Sequence, residues 1–335
     1  MILVTGGTGL VGAHLLYHLT LTNTRIRAIY RDEKSLEGVR KVFSFYASYD
    51  ENQFSKIDWF QADITEVPAM IPAFEDIKKV YHCAAFISFH PKDYSEMRKV
   101  NIHGTAVVVN LSIAAKIDKI CFVGSIASVG DALDGNLITE ENEWNKDIDQ
   151  SGYAITKFGG EMEIWRAGQE GIKMVIVNPG VILGSGFWQK GSGKLFSQMN
   201  KGFKYYTEGV TGFVGVKDVV KAMILLMNSE VNNERFILVS ENKSFKEIFF
   251  CIADFLKKER PSKKIKPWKT AILWRFSWLI SSITGKDPLL TKHTAKSAHS
   301  SSLYDSEKIK KRMDFEFEPI EKVIKQACKN FNSFP

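Results

Sequence analysis

Two side chains with complementary acid–base chemistry, Tyr153 and Lys157, stand four residues apart in the chain. In a helix this spacing places both side chains on one face, so a phenol and an ammonium group would lie one turn apart. A phenol with its ordinary pKa of about 10 exchanges protons slowly at neutral pH. A neighbouring positive charge stabilises the phenolate and lowers that pKa. The spacing therefore predicts a general acid/base, although ordinary surface pairs of Tyr and Lys share it.

A second candidate for proton or hydrogen-bond chemistry is a hydroxyl in the segment from Gly124 to Ser128. The segment follows a short apolar run, Ile120–Val123, which predicts a strand. Side chains at the carboxyl ends of parallel strands lie where such sheets bind their ligands. Ser125 and Ser128 are the two candidates.

A glycine-rich turn near the amino terminus predicts a phosphate-binding site. Gly6, Gly9 and Gly12 follow the apolar run Ile2–Thr5 and open an amphipathic stretch. A strand, a glycine turn and a helix in this order are the context of a dinucleotide-binding motif, in which the helix amino terminus faces the pyrophosphate. A tight turn between a strand and a helix also needs glycine without any ligand. The motif therefore needs support from the rest of the chain.

The elements around these residues alternate between strand and helix. Short apolar runs without polar alternation predict buried parallel strands; they are Ile2–Thr5, Ile26–Tyr30, Ile57–Phe60, Val80–Ala84, Ile120–Val123 and Met174–Val177. Longer amphipathic stretches separate them, and another strand is predicted at Arg235–Val239. The last residues, about 90 in number, are instead helical, basic and aromatic. Together with the glycine turn, this pattern predicts an α/β fold, a Rossmann-type doubly wound parallel sheet with a smaller, mainly helical C-terminal substrate lobe. We assign residues 1–178 and 212–240 to the nucleotide-binding domain, and residues 179–211 and 241–335 to the lobe.

Composition excludes several classes of protein. The 335 residues are 44% apolar and 25% charged, which excludes a disordered, collagen-like or disulfide-stapled chain. The longest apolar stretch, Thr270–Ile283, is too short to span a membrane and contains Arg275. The amino terminus has no basic region typical of a signal peptide, and the four cysteines form no CxxC pair. We therefore expect a cytoplasmic protein with free thiols.

The net charge of +7 is concentrated near the carboxyl terminus. Between Phe255 and Arg312 the chain has 15 Lys and Arg against 4 Asp and Glu. No nucleic-acid-binding motif accompanies them, so we expect a solvated face and no nucleic-acid partner. Docking on a membrane surface through Trp268, Trp274 and Trp278 is an alternative. A simpler expectation is that one helical stripe packs against the first domain; it consists of Ile272, Phe276, Leu279, Ile280 and Ile283.

Taken together, these motifs resemble the extended branch of the short-chain dehydrogenase/reductase superfamily, the NAD-dependent epimerase/dehydratase family. Within it, the chain is most similar to the group of dihydroflavonol 4-reductases and 3β-hydroxysteroid dehydrogenases. The resemblance runs from Ile2 to about Phe331. It also includes the segments Asp63–Ile64, His82–Ala85, Val100–Thr105, Val177–Gly180 and Val214–Val219.

The resemblance implies roles for individual residues. Tyr153 would be the general acid/base, and Lys157 would lower its pKa and bind the nicotinamide ribose. Ser125 is preferred over Ser128 because it precedes Gly130 by five residues, as the family's catalytic Ser or Thr precedes a glycine. The implied cofactor contacts are Gly6, Thr8, Gly9, Leu10, Val11, Gly12, Asp63 and Ile64 (by the adenine), Ala84, Ala85, Asn101 (near the ribose), Lys157 and Pro179 (at the nicotinamide). For Asp63 and Asn101, turn capping and bracing of the sheet are alternative explanations.

The end of the second strand predicts which nicotinamide cofactor binds. NAD-binding relatives carry an acidic residue where this chain has Tyr30, and Arg31 follows. The segment resembles that of dihydroflavonol 4-reductases, whose arginine contacts the 2′-phosphate of NADP, and guanidinium groups bind phosphate well. We therefore expect NADP(H), with NAD(H) as the alternative if Asp32 binds the ribose.

The substrate is predicted to be a ketone or aldehyde on a mostly apolar compound. The segment Ile176–Gly184 lacks the Arg and the Tyr-Gly-Pro of nucleotide-sugar enzymes, and its Asn178–Gly180 resembles the reductase group. Ser302–Lys308 also resembles reductase-like relatives. Apolar loop residues suggest an apolar mouth; the candidate substrate contacts are Phe86, Phe89, Phe187 and Trp188, with Asn178. Each aromatic residue has the alternative of packing into the second lobe.

The sequence thus predicts an NADP(H)-dependent reductase that also works as an alcohol dehydrogenase. A nucleotide-sugar epimerase or dehydratase is the alternative, and a non-enzymatic nucleotide-sensing protein is less favoured because the Tyr–Lys pair is present. The resemblance also suggests a homodimer formed by helices 94–115 and 153–169.

Overall fold

The computed structural model describes residues 1–132, 137–284 and 290–333, without the side chains of residues 278–280 and 282–284. The strands in these ranges are β1 (Ile2–Thr5), β2 (Ile26–Tyr30), β3 (Ile57–Gln61), β4 (Lys79–His82), β5 (Lys119–Val123), β6 (Lys173–Pro179), β7 (Val181–Leu183), β8 (Tyr205–Tyr206), β9 (Val210–Gly215), β10 (Glu234–Leu238), β11 (Glu241–Ser244) and β12 (Lys263–Lys264).

The α-helices of the same ranges separate most of these strands. They are α1 (Leu10–Thr20), α2 (Leu36–Phe43), α3 (Glu51–Ser55), α4 (Val67–Met70), α5 (Tyr94–Arg98), α6 (Thr105–Ala114), α7 (Gly152–Gln169), α8 (Gly193–Asn200), α9 (Val216–Asn228), α10 (Phe245–Phe255), α11 (Pro267–Thr284), α12 (Lys292–Ser297), α13 (Glu307–Met313) and α14 (Ile320–Asn332).

Seven strands form a parallel sheet in the order β10-β6-β5-β4-β1-β2-β3. Helices cover both faces, with α1 against α9 on one side and α6 against α7 on the other. This double cover explains why the central strands β1 and β5 are buried along their whole length. The predicted doubly wound fold is confirmed.

The strand order reverses between β1 and β4, which lie side by side although two strands separate them in the sequence. At such a switch point the loops diverge above the carboxyl ends of the strands and leave a crevice. The glycine turn after β1 and the loop after β4 flank this crevice.

The helix predicted from residue 94 to residue 115 contains an irregularity. Between α5 and α6 the backbone forms a π-helical segment, Lys99–Gly104. Single π-turns inside α-helices are rare and occur often at functional sites. This segment carries Asn101, one of the candidate cofactor residues.

The second lobe has its own small sheet and core. Strands β7, β9 and β11 form a three-stranded sheet in the order β11-β9-β7. Helices α8, α10 and α14 supply most of the buried side chains around it. The predicted division at residue 212 falls inside β9, so this sheet joins segments that we assigned to different domains.

The apolar stripe of α11 does not pack as expected. Ile272 and Phe276 are 45% and 59% exposed, so they do not face the first domain. The other three members, Leu279, Ile280 and Ile283, and also Trp278, lie outside the described side chains. Within the ranges given above, none of the helices has both the length and the apolar character needed to cross a bilayer.

Candidate active site

Helix α7 presents the candidate acid/base at the carboxyl end of the sheet. The Ser151 hydroxyl caps the helix by accepting from the backbone NH of Ala154. Tyr153 therefore lies in the first turn, where its ring borders a cleft, and Lys157 lies one turn deeper and is buried. The two side chains predicted to share a helix face are held by one rigid element.

Lys157 points into the sheet. Its Nζ donates to the carbonyl oxygen of Val123 at 2.7 Å and lies 4.8 Å from the centre of the Phe122 ring. Burial lowers the pKa of Lys157 to about 8, against the opposing charge of Glu161. An ammonium group with such a pKa can give up and regain a proton near neutral pH.

Ser125, the serine that we preferred as the partner of Tyr153, lies close enough to the Tyr153 hydroxyl to influence its pKa. Burial raises the pKa of Tyr153, and the interaction with the Ser125 side chain offsets this only in part. The expected lowering of this pKa by Lys157 is absent from the described arrangement, in which the Lys157 ammonium bonds to Val123. Tyr153 is therefore a neutral phenol at pH 7, the form that can donate a proton.

The two candidate serines lie in different surroundings. Ser125 stands at the end of β5 with its Oγ accepting from the NH of Ala127, and it contacts Tyr153. Ser128 is fully buried and donates to the Glu161 carboxylate at 2.7 Å. The structure thus brings Ser125 together with Tyr153 and Lys157, whereas Ser128 belongs to an interior network.

That interior network centres on Glu161, a fully buried carboxylate one turn beyond Lys157 on α7. Oε2 accepts from Ser128 and from the side-chain amide of Asn178 at 2.8 Å, and Arg235 Nη1 reaches Oε1 at 3.2 Å. Burial strengthens such an ion pair but makes the loss of either partner costly. We expected Asn178 to contact the substrate; instead it is fully buried and holds the end of β5.

The glycine turn has two glycines that the fold itself requires. Gly6 has a φ of +68°, and a Cβ there would lie 2.5 Å from the backbone nitrogen of Ala84. A Cβ on Gly12 would lie 2.2 Å from the carbonyl oxygen of Gly6. Both contacts are shorter than any that a folded chain tolerates, so the turn needs these glycines with or without a ligand.

Gly9 differs, because nothing in the fold explains its missing side chain. It begins α1 in an extended conformation, is exposed, and a Cβ would come no closer than 3.5 Å to the protein. Gly9 leaves the space of a Cβ open beside the amino terminus of α1, where the NH groups of Thr8, Leu10 and Val11 make no backbone bond within the described residues. Such a site fits a dinucleotide pyrophosphate. The residues present therefore match the cofactor that the motif predicts.

This contrast leads to a prediction for two alanine variants. Gly9→Ala should retain the thermal stability of the wild type and bind NADPH about fivefold or more weakly, since one methyl group in a close contact costs about 1 kcal/mol or more. Gly12→Ala should instead lower the melting temperature, because the new methyl group overlaps Gly6. Calorimetry and cofactor titration on both variants check this. Equal behaviour of the two would contradict it.

Arg31 lies at the end of β2, where the adenosine ribose of a bound cofactor would be expected. Its Nη1 is 3.5 Å from Asp63 Oδ2 and its side chain is 63% exposed, so this pair is weak and leaves the guanidinium accessible. Asp32 instead caps the following turn by accepting from the NH of Lys34. The Arg31 guanidinium is thus accessible at the end of β2, whereas Oδ1 of Asp32 is engaged by the backbone.

Asp63 and Asn101 both make the structural bonds that we weighed as alternatives. Asp63 Oδ1 accepts from the NH and the hydroxyl of Thr65. Burial acts against these bonds and the charge of Arg31, which together hold the pKa of Asp63 below its usual value. Asn101 accepts from the NH of Phe86 at 2.7 Å and donates to its carbonyl at 3.0 Å, so it braces the loop after β4.

The remaining cofactor candidates surround the crevice. Ala84 and Ala85 follow β4, Ile64 is buried after β3, and Pro179 is buried at the end of β6. A buried chain of bonds joins Thr5, below the glycine turn, through His82 to Thr105 on α6. Burial lowers the pKa of His82 to about 3, so this link stays uncharged.

A cleft of about 400 Å³ opens beside Tyr153. Its described lining is mostly aromatic and apolar, with two histidines and two serines; the residues are Ser88, Phe89, His90, Pro91, Tyr94, Met97, Ser151, Gly152, Tyr153, Ile155 and His293. No lysine or arginine occurs among these described residues. Sequence reasoning found Phe89, whose ring lies 5.5 Å from that of Tyr153, and missed Tyr94, Met97 and His293.

The other aromatic candidates lie elsewhere. Trp188 is buried in the core of the second lobe against Phe196, and Phe187 packs beside Gly38 of α2. Neither lines the cleft, so the packing alternative holds for both. Phe86 is partly buried against the core, and only its backbone is held by Asn101.

The chain resembles known proteins in both sequence and fold. A family model described as the NAD dependent epimerase/dehydratase family matches residues 2–238. The chain is 25% identical to the sterol demethylase protein B of Methylococcus capsulatus, over 79% of this chain and 77% of that protein. It is 22% identical to a putative dihydroflavonol 4-reductase of Synechocystis, over 98% and 94%. The solved UDP-glucose 4-epimerase of Thermotoga maritima with UDP-glucose has a TM-score of 0.76 at 19% identity, over 99% of this chain and 98% of that one, which is a likeness of fold.

Proposed function

The chain belongs to the NAD-dependent epimerase/dehydratase family, whose members are NAD(P)-dependent enzymes acting on CH–OH and C=O groups, and on this premise we propose that it is an NADP(H)-dependent reductase of mostly apolar ketones or aldehydes. The observation that carries the proposal is the cleft beside Tyr153. Its described lining is aromatic and apolar and contains no lysine or arginine. The charged phosphates of a nucleotide-sugar diphosphate are commonly bound by Arg or Lys side chains, so this lining favours an uncharged, apolar substrate.

The arrangement of Ser125 and Tyr153 supports the reduction chemistry. The hydride that reduces the carbonyl carbon would come from NADPH held by the glycine turn and Arg31. The Ser125 and Tyr153 hydroxyls would both bind the carbonyl oxygen, which becomes negative as the C=O bond is reduced. Tyr153 would then transfer its phenolic proton to that oxygen to form the alcohol, and its raised pKa keeps the proton in place beforehand.

Lys157 would act after the proton has left Tyr153. Its ammonium bonds to Val123 and does not lower the pKa of Tyr153 in this arrangement, so its role would be to pass on a replacement proton, which its pKa of about 8 allows near neutral pH. Arg31 and the glycine turn would hold the cofactor, with the 2′-phosphate at Arg31. In the reverse direction the same residues would oxidise an alcohol.

Initial rates with NADPH test the substrate class. We expect turnover with bulky apolar ketones or aldehydes and none with UDP-glucose or dTDP-glucose, measured by the loss of NADPH absorbance. The names of two relatives, which refer to a sterol and a dihydroflavonol, guide the choice of compounds. Interconversion of a nucleotide sugar without net cofactor oxidation would contradict the proposal and support the epimerase alternative.

A homodimer remains part of the proposal. Helices α6 and α7 pack together on one face of the sheet, and Met162 of α7 is 38% exposed, as an interface residue in a free subunit would be. Light scattering measures the mass in solution. A monomeric mass would contradict the homodimer and would leave the catalytic proposal unaffected.

A further inference from the structure

Helix α11 has polar residues on its buried side and apolar residues on its exposed side. Its buried side carries hydroxyls: Thr270 bonds to His299 at 2.9 Å, and Ser281 lies 3.4 Å from Nε2 of His90. Its outer side carries large apolar residues instead. In a helix that merely completes a soluble core, the apolar side would face inward.

The outward residues form a continuous surface, which we call the α11 outer face; it consists of Trp268, Ile272, Leu273 and Phe276. They are 58%, 45%, 50% and 59% exposed, respectively. Trp268, Ile272 and Phe276 follow each other at intervals of four residues, so they lie along one line of the helix. Contiguous exposed apolar surface of this kind marks a site of interaction.

Positive charge surrounds the α11 outer face. From Lys257 to Arg275 the sequence contains eight Lys and Arg and one Glu. Lys266 and Lys269, beside Trp268, and Arg275, beside Phe276, are all exposed. By helical position, Lys269 and Arg275 lie on opposite sides of the apolar line.

The positive charge around the α11 outer face indicates which kind of partner would bind there. A second copy docking through the same face would oppose like charges across a two-fold axis, which is unfavourable. An anionic surface would be attracted to the basic residues. A lipid bilayer offers both an anionic layer of headgroups and an apolar layer just beneath it, which matches a stripe of Trp, Ile and Phe bordered by Lys and Arg.

We propose that the α11 outer face docks on the surface of an anionic lipid bilayer, with the helix lying in the plane of the interface. Trp268, Ile272 and Phe276 enter the headgroup region, and Lys266, Lys269 and Arg275 meet the lipid phosphates. The buried side of α11 reaches the catalytic cleft, because His90 both lines the cleft and lies next to Ser281. If the proposed function holds, docking therefore brings the cleft near a reservoir of apolar substrate.

Vesicle flotation of the full chain tests the docking. One set of vesicles contains phosphatidylcholine alone, and the other contains about one-third phosphatidylglycerol. The wild type should partition to the anionic vesicles at least about tenfold more strongly than to the neutral ones, and salt should weaken this binding. The double variant Trp268→Ser/Phe276→Ser should lose at least about tenfold in partitioning.

A matched control removes exposed apolar residues from elsewhere on the surface. Val67 and Ile71 are 42% and 55% exposed at α4, and the variant Val67→Ser/Ile71→Ser should bind vesicles like the wild type. A second variant, Lys266→Glu/Lys269→Glu, leaves the apolar residues in place and should also lose binding, which keeps the test decisive if the serine variant folds poorly. Melting curves check folding.

Three results would overturn the proposal. The first is absence of wild-type binding to anionic vesicles, and the second is equal binding by all the variants. The third is a wild-type dimer that becomes monomeric in the serine variant without any vesicle binding, since the partner would then be a second copy. Reduction of a water-soluble ketone measures the proposed function separately, and it should be unchanged in the serine variant.

Discussion

Replacing Tyr153 by Phe is expected to lower the rate of carbonyl reduction by about 10²–10⁴-fold, the usual contribution of general acid catalysis. The substitution removes the Tyr153 hydroxyl and with it both the proton and one hydrogen bond to the developing oxyanion. The ring remains, so the packing beside Phe89 should persist. Affinity for NADPH should change little. Steady-state kinetics and cofactor titration measure the two quantities.

Tyr94 provides the matched control, because it lines the same cleft. Tyr94→Phe also removes one phenolic hydroxyl from the cleft lining, and it should retain most of the activity. Lys157→Ala should differ from both by weakening cofactor binding as well as turnover, since Lys157 is assigned both roles. Turnover near the wild-type rate by Tyr153→Phe would refute the mechanism.

The second large effect is expected at Arg31. Arg31→Ala should weaken NADPH binding by about ten- to a hundredfold, because charge-assisted hydrogen bonds contribute about 1.5–3 kcal/mol. NADH binding should be almost unchanged, since NADH lacks the 2′-phosphate. In the wild type, added salt should narrow the difference between the two cofactors, as the Arg31 side chain is largely exposed.

Arg25 is the matched control for Arg31, as it is an exposed arginine immediately before the other end of the same strand, β2. Arg25→Ala removes the same charge from the amino-terminal end of that strand and should leave both cofactor affinities unchanged. If the wild type prefers NADH, or if Arg31→Ala loses both cofactors equally, Arg31 does not select the cofactor.

The parts of the site that follow one another in the sequence were predictable. The glycine turn and the pair Tyr153 and Lys157 are local patterns, whose geometry is set by a strand end or a helix period. The parallel sheet was equally readable, because strands buried on both faces are apolar throughout. These features need no knowledge of distant neighbours.

The network around Glu161 could not be predicted from such patterns. Its partners Arg235 and Asn178 lie 74 and 17 residues away in the chain, and only the pairing of β10 with β6 brings them together. The positions of Phe187 and Trp188 could not be predicted for the same reason. An aromatic residue in a loop after a strand faces either a cleft or a second lobe, and the sequence does not state where the lobe lies.

The orientation of helix α11 could not be predicted for a different reason. Its period is correctly helical, but periodicity does not tell which face of a helix meets the protein. The hydroxyls of Thr270 and Ser281 find partners inside, and this leaves Ile272 and Phe276 outside. An apolar stripe indicates a contact without saying what makes it.

The number of residues in the π-helical segment Lys99–Gly104 determines how α5 and α6 are rotated relative to each other. A π-turn holds one residue more than an α-turn, so deleting one residue of this segment other than Asn101 would allow one regular helix from α5 to α6. Such a helix would be easier to form, but Asn101 would be rotated by about 100° relative to one of the two flanking helices. Its amide would then turn away from Phe86 or from Thr156 of α7. The extra residue is a spacer that keeps the loop of the cleft and the catalytic helix in register, and relatives that share this bracing should share the insertion.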